Sequence, residues 1–143
     1  MHTPPSSAAQ YLAALQQKLE TIGVGQIASV MGRYHAMDRD YRWERVHKAF
    51  ACLTGRQAKE QRIVQAPTAH NLKGDEFIVP TMVAPTPEAA CASRVSDGDT
   101  VIFYNYRGDR PRELSAAFVF PDDQWAKVKP SPDSGKHGFD RGQ

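Results

Sequence analysis

At 143 residues the chain is the size of one domain and can bury an ordinary core. Its 41% hydrophobic and 24% charged residues exclude wholesale disorder, and a formal charge of +2 gives no general case for nucleic-acid binding. No apolar run approaches the roughly 20 residues that span a bilayer. Met1-His2-Thr3-Pro4-Pro5-Ser6-Ser7 lacks the basic and apolar regions of a signal peptide. Cys52 and Cys91 form no C-x-x-C pair, which argues against a disulfide framework or a zinc site. The expectation is a reducing, cytoplasmic location.

The Thr3-Pro4-Pro5 segment is an extended entry, and Ser6 or Ser7 is placed to cap a helix. Leu12, Leu15, Leu19 and Ile22 then recur at helical spacing on one face, and Gly23 and Gly25 supply the stop. Residues 26–31, partly β-branched and bounded by glycines, predict a buried strand. Asp40 can cap the next helix, in which Trp43, Val46, Phe50 and Leu53 share a face and Thr54-Gly55 closes the run. Residues 56–74 are polar, contain Pro67 and read as loop. Residues 75–81 hold a short extended core that Pro80 confines to a strand end or sheet edge. A short helical turn is expected over 88–93, and Asp97-Gly98-Asp99 is a tight turn. Residues 100–106 form the strongest strand pattern, apolar enough to be covered on both faces as in a parallel sheet. Pro111 suits the first turn of a helix over 113–118, and residues 121–143 read as an irregular tail with Trp125 and Phe139 as anchors. The order helix, strand, helix, strand, strand, helix predicts an α/β protein with a layered α/β/α sheet of mostly parallel strands.

Two stretches concentrate charge: Gly32-Arg33-Tyr34-His35-Ala36-Met37-Asp38-Arg39-Asp40, and Tyr104-Asn105-Tyr106-Arg107-Gly108-Asp109-Arg110-Pro111-Arg112. In open α/β sheets ligands bind beyond the carboxyl ends of the strands, so parallel strands would start Arg33, Arg39, Arg107, Arg110 and Arg112 from one edge. Guanidinium groups match phosphate and carboxylate oxygens with paired hydrogen bonds, which suits a small, multiply charged anion. The competing reading is solvated ion pairs of little consequence, with Asp38, Asp40 and Asp109 orienting their neighbours. None of His2, His35, His47, His70 and His137 forms a ligand-spaced pair. His35 suits a structural role and His47 a helix surface, and no serine or threonine stands in a nucleophile motif. These residues give binding chemistry without a catalytic engine.

At the two clusters the sequence resembles the 2,3-bisphosphoglycerate-independent phosphoglycerate mutases. Residues 32–50 carry the resemblance most distinctively, supported in order by Thr3-Pro4-Pro5-Ser6-Ser7, residues 75–81, Asp97-Gly98-Asp99 leading to Arg107, and Gly138-Phe139-Asp140-Arg141. The resemblance implies cytoplasmic, monomeric enzymes of glycolysis, with two α/β domains and several times this length. One domain holds two Mn²⁺ ions and a serine that carries the phosphoryl group; the other, inserted into it, grips the substrate with arginines. This chain is similar to a large piece of the inserted domain, so residues 1–143 are expected to be an incomplete substrate-binding (phosphotransferase) domain. Residue by residue, Arg33, Arg39, Arg107 and Arg110 match substrate-binding arginines for 2- and 3-phosphoglycerate. No catalytic residue, metal ligand, nucleic-acid contact or membrane contact is carried over, and the implied Mn²⁺ would come with a separate metal-binding domain. Departures from the family pattern are Met1-His2 in place of an Arg-Asp pair, His35 for Tyr, Gly108 for Pro and Pro111 for Ala. Residues 57–73 are shorter than the family's and 124–136 look like an addition. The isolated chain is therefore expected to lack mutase turnover. A stand-alone binding module for a small phosphorylated anion is the alternative, and a nucleic-acid patch is the weakest reading.

Overall fold

A computed structural model describes residues 4–56, 62–64 and 74–142. His2, Pro67, His70 and most of the 56–74 segment lie outside the described residues. The elements in order are α1 (Ala8–Ile22), β1 (Ser29–Val30), α2 (Arg33–Ala36), α3 (Trp43–Thr54), β2 (Arg62–Val64), a 3-10 turn (Asp75–Phe77), β3 (Thr81–Val83), α4 (Pro87–Ala92), α5 (Arg112–Val119) and α6 (Asp122–Trp125).

The core is built on α3, whose apolar spacing places Trp43, Val46 and Phe50 on its buried face. They pack with Leu114, Ala116 and Ala117 of α5 and with Trp125. The edge-to-face contact of Trp43 and Trp125, with ring centres 5.1 Å apart, closes that cluster. The tail is mostly irregular, yet it is tied to the core by hydrogen bonds. Trp43 Nε1 donates to the Lys129 carbonyl at 2.7 Å, and Trp125 Nε1 donates to the Phe139 carbonyl at 2.9 Å. Trp125 and Phe139 thus serve as the anchors expected of aromatics in an irregular tail. His47 stacks on Phe139 at 4.8 Å and is half-buried, where a surface position was expected.

The strands form one small mixed sheet in the order β1-β3-β2, with β3 antiparallel to β1 and parallel to β2. Met82 and Ala84 pack with Cys52 and Ala90 in a second apolar cluster beside it. The strand expected over 26–31 is reduced to Ser29–Val30, and 75–81 divides into the 3-10 turn and the start of β3. Residues 100–106 are not a strand. Ile102 and Tyr104 are each 84% exposed and Tyr106 is 93% exposed, so this apolar run is largely open to solvent. A lone strand cannot offset its ordering cost without a partner for its backbone. Helix α1 also forms where expected but buries no residue, and Tyr11, Leu15 and Ile22 stay exposed.

Candidate functional site

The first arginine stretch is shaped by a close backbone approach at Gly32. Its N–H donates to the Ile78 carbonyl at 2.8 Å, and a Cβ there would lie 2.2 Å from the Glu76 carbonyl oxygen. Only glycine lets the chain pass so near the 3-10 turn. Helix α2 follows at once and puts Arg33 beside Glu76, which it meets through Nε and Nη2, each at 2.9 Å.

After α2 the chain wraps around one buried carboxylate. Asp38, 4% exposed, accepts the N–H groups of Asp40 and Arg42 through Oδ2, each at 3.0 Å. The entry to α3 is therefore served by Asp38 rather than by Asp40, because side-chain-to-backbone bonds of this kind replace those a helix end cannot make. Arg45 reaches Asp38 Oδ1 at 3.4 Å and lies over the Tyr34 ring at 3.8 Å. Tyr41 takes a left-handed φ of 60°, the one non-glycine to do so among the described residues. With Asp38 turned inward, Arg39 and Asp40 face solvent.

The second stretch meets this loop from the other side. Arg39 Nη1 donates to Asp109 Oδ2 at 2.8 Å, and Arg107 Nη2 lies 3.6 Å from the same oxygen. Arg110 Nη1 donates to the Met37 carbonyl at 2.8 Å. Arg39, Arg107 and Arg110 are thus brought together around Asp109 and loop 37–42. The hydrogen bond from Arg39, and then the Arg107 charge, hold the Asp109 carboxyl below the usual carboxylate range. Arg33 has a different partner, Glu76, and lines a cleft of about 680 Å³ with Pro4, Tyr11, Met31 and Met37. Met37 joins the two regions, lining that cleft and accepting from Arg110. Arg112 is exposed at the start of α5.

The expected route to convergence, two parallel strands delivering arginines to one sheet edge, is not the one used. A loop and a helix entrance do it instead. The expected orienting acids divide: Asp109 serves Arg39 and Arg107, Asp38 serves Arg45, and Asp40 lies 3.4 Å from Arg42. Glu113 was missed by sequence reasoning. It is 5% exposed on α5, and its Oε1 accepts the Tyr41 N–H at 2.9 Å. An acid in the first turn of the expected helix, adjoining the apolar Leu114, was the signal that could have found it.

His35 is buried. Desolvation, then the charges of Lys48 and Arg45, hold its pKa below the ordinary value, which favours the neutral ring. Burial pushes the Cys52 thiol up to about 11, which makes it a poor nucleophile. Among the described residues no group of three or more His, Cys, Asp and Glu side chains is placed to hold a metal ion. The acids at the arginine site are committed to N–H and guanidinium donors, which does not fit the oxygen cage a hard divalent cation requires. Among the described residues no helix is long and apolar enough to cross a membrane. What remains is a group of guanidiniums on one exposed face, able to form charge-assisted hydrogen bonds with carboxylate or phosphate oxygens.

A family model described as BPG-independent PGAM N-terminus matches residues 2–137. Curated proteins named 2,3-bisphosphoglycerate-independent phosphoglycerate mutase are similar to the chain. The protein from Clostridium perfringens (strain SM101 / Type A) is 44% identical over 121 residues, covering 82% of this chain and 23% of that protein. The one from Rhodopirellula baltica is 38% identical over an alignment of 149 positions, gaps included, covering 99% and 26%. The one from Myxococcus xanthus is 44% identical over 123, covering 84% and 24%. The chain spans about a quarter of the length of these relatives.

Proposed function

The chain belongs to the BPG-independent PGAM N-terminus family, and from that premise we propose that it binds 2- and 3-phosphoglycerate through Arg33, Arg39, Arg107 and Arg110. The observation that carries the reading is the convergence of Arg39 and Arg107 on one carboxylate oxygen of Asp109. Phosphoglycerate presents a carboxylate and a phosphate on a three-carbon frame, and its oxygens can replace that oxygen between the two guanidiniums. Arg33, on the neighbouring cleft, supplies a further contact for the other end of the ligand.

The interconversion of 3- and 2-phosphoglycerate, a glycolytic step, needs a group that takes up and returns the phosphoryl unit. In this reading the chain positions substrate, in the cytoplasm, and does not itself carry the phosphoryl group. A partner domain with two Mn²⁺ ions does the chemistry. A layered α/β sheet that includes residues 100–106 is proposed for the complete domain on the strength of their apolar pattern.

Titration calorimetry of the purified chain with 3-phosphoglycerate tests this reading. Binding is expected in wild type and weaker in both Arg33→Ala and Arg107→Ala. No binding by wild type, or loss in neither variant, removes the proposal. Turnover of 3-phosphoglycerate by the isolated chain would overturn the division of labour.

A further inference from the structure

We propose that Glu113 is a positioning residue for this site: a hydrogen-bonded carboxyl–carboxylate pair with Asp38 holds loop 37–42 against α5 and fixes Arg39 opposite Arg107 and Arg110. The inference deepens the anion-clamp reading and rests on it for its ligand.

The geometry has three parts. Glu113 Oε1 receives the N–H of Tyr41, the residue held at a left-handed φ of 60°. Its Oε2 is buried and has no N–H or O–H donor from another residue. The equally buried Asp38 carboxyl accepts the N–H groups of Asp40 and Arg42, on either side of Tyr41, so the two carboxyl groups serve one and the same turn. Two buried carboxyl groups facing one turn cannot both stay ionised cheaply, and a proton shared between them would turn the repulsion into a bond. Asp38 already accepts two backbone N–H groups and faces Arg45, so it is the better anion. Glu113 is then the one that carries the proton.

Desolvation of Glu113 is the leading cause in the same direction, opposed by the Tyr41 N–H, and Asp38 and Asp40 reinforce it; together they push its pKa up to about 7. The charged groups around the pair are these two acids on the loop and Arg42 and Arg45 at the start of α3. Arg110 lies on the Met37 carbonyl, and Lys129 of the tail lies over the Tyr41 ring. Ionisation of Glu113 therefore loosens the loop from α5 near neutral pH, and the strained Tyr41 backbone is the point that yields.

Amide hydrogen exchange at Tyr41, corrected for intrinsic rates, and 3-phosphoglycerate calorimetry on the whole chain test the proposal across neutral pH. In wild type, Tyr41 protection falls as pH rises through about 7, and further than that of the core α3 amide of Phe50, which reports only global opening. Glu113→Gln still accepts from Tyr41 and donates to Asp38, so it keeps the protection and removes its pH dependence. Binding is expected to stay within about twofold in Glu113→Gln and to fall about tenfold in Glu113→Ala, as loss of a supporting partner commonly does. A Glu113→Gln profile with the wild-type pH dependence overturns the proposal, whether or not Glu113→Ala folds. So does full Tyr41 protection in Glu113→Ala. If wild type binds no 3-phosphoglycerate, the clamp reading fails, while the exchange profile still decides the role of Glu113.

Discussion

The Arg39 guanidinium meets the Asp109 carboxylate at 2.8 Å across 70 residues of chain. Both side chains are substantially exposed, so the pair contributes little to stability. Its effect is geometric. One Asp109 oxygen, shared with Arg107, sets the separation of two guanidiniums that the proposed ligand must bridge. The same carboxylate competes with an incoming anion. Asp109→Asn keeps the shape and removes the competing charge. It is expected to bind 3-phosphoglycerate more tightly, with a steeper salt dependence and an unchanged urea midpoint. Weaker binding in calorimetry would mean that the carboxylate aligns the arginines more than it competes with the ligand.

Glu113 gives stability a pH dependence whose sign can be worked out. Its folded pKa is raised from 4.5 to about 7, so over that interval the folded chain holds more proton than the unfolded one. The contribution is complete below the unfolded value and is lost as pH rises through about 7. His35 acts in the opposite sense, since its folded pKa is lowered from 6.5 and its contribution is lost as pH falls through the lowered value. The difference between wild type and Glu113→Gln separates the two. Urea midpoints in that comparison should diverge between mildly acidic and mildly alkaline buffer, with wild type losing more on the alkaline side. Parallel curves would show that Glu113 is ionised throughout.

Gly32 is the position where the first arginine stretch can be moved without touching an arginine. A methyl group there meets the Glu76 backbone oxygen at 2.2 Å and the Ile78 nitrogen at 2.7 Å, both main-chain atoms that cannot swing aside. Gly32→Ala should therefore cost about 1–3 kcal/mol, the range for overpacking. It should also part Arg33 from Glu76, because the two segments must separate. A urea midpoint equal to that of wild type would show the approach to be looser than 2.2 Å implies.

The turn between Arg107 and Arg110 has an opposite character. A Cβ at Gly108 would have no heavy atom within 4 Å and the residue has no left-handed φ, so a methyl group there meets open space. Gly108→Ala should stabilise by about 0.4–1 kcal/mol, mainly by restricting the unfolded chain. A loss of stability in a urea titration would expose a conformational demand on glycine at this turn.

Legibility followed from what each sequence pattern encodes. The spacing of Trp43, Val46 and Phe50 reports one helix face, and that face is the core. The same kind of spacing in Leu12, Leu15, Leu19 and Ile22 located α1 but could not say what would cover it, and it buries nothing. The arginines were legible as two clusters suited to paired hydrogen bonds with anion oxygens, with solvated ion pairs as the competing reading. The way they converge was not, because Asp109 and Glu113 act across long sequence separations that no local period records. Trp125 and Phe139 were legible as isolated aromatics in a polar tail, while the carbonyls that fix the two tryptophans were not.

Residues 100–106 put the sharpest question to the fold. Their composition is that of a strand covered on both faces, yet Ile102 is 84% exposed while Phe50 is 3% exposed. Burial, not hydrophobicity, decides the cost of a substitution, because transfer from water has already failed to occur at an exposed side chain. Ile102→Lys should change stability by less than about 0.5 kcal/mol, as surface substitutions do. Phe50→Ala should cost about 3–5 kcal/mol from lost packing and the cavity left behind. Urea unfolding of the two variants makes the comparison. If Ile102→Lys is as damaging as Phe50→Ala, the apolar run is covered in solution and the layered sheet proposed for the complete domain already forms in this chain. If it is neutral, the run needs a partner strand before it can join a sheet, and the arginines that follow it owe their position to loop 37–42 and α5 alone.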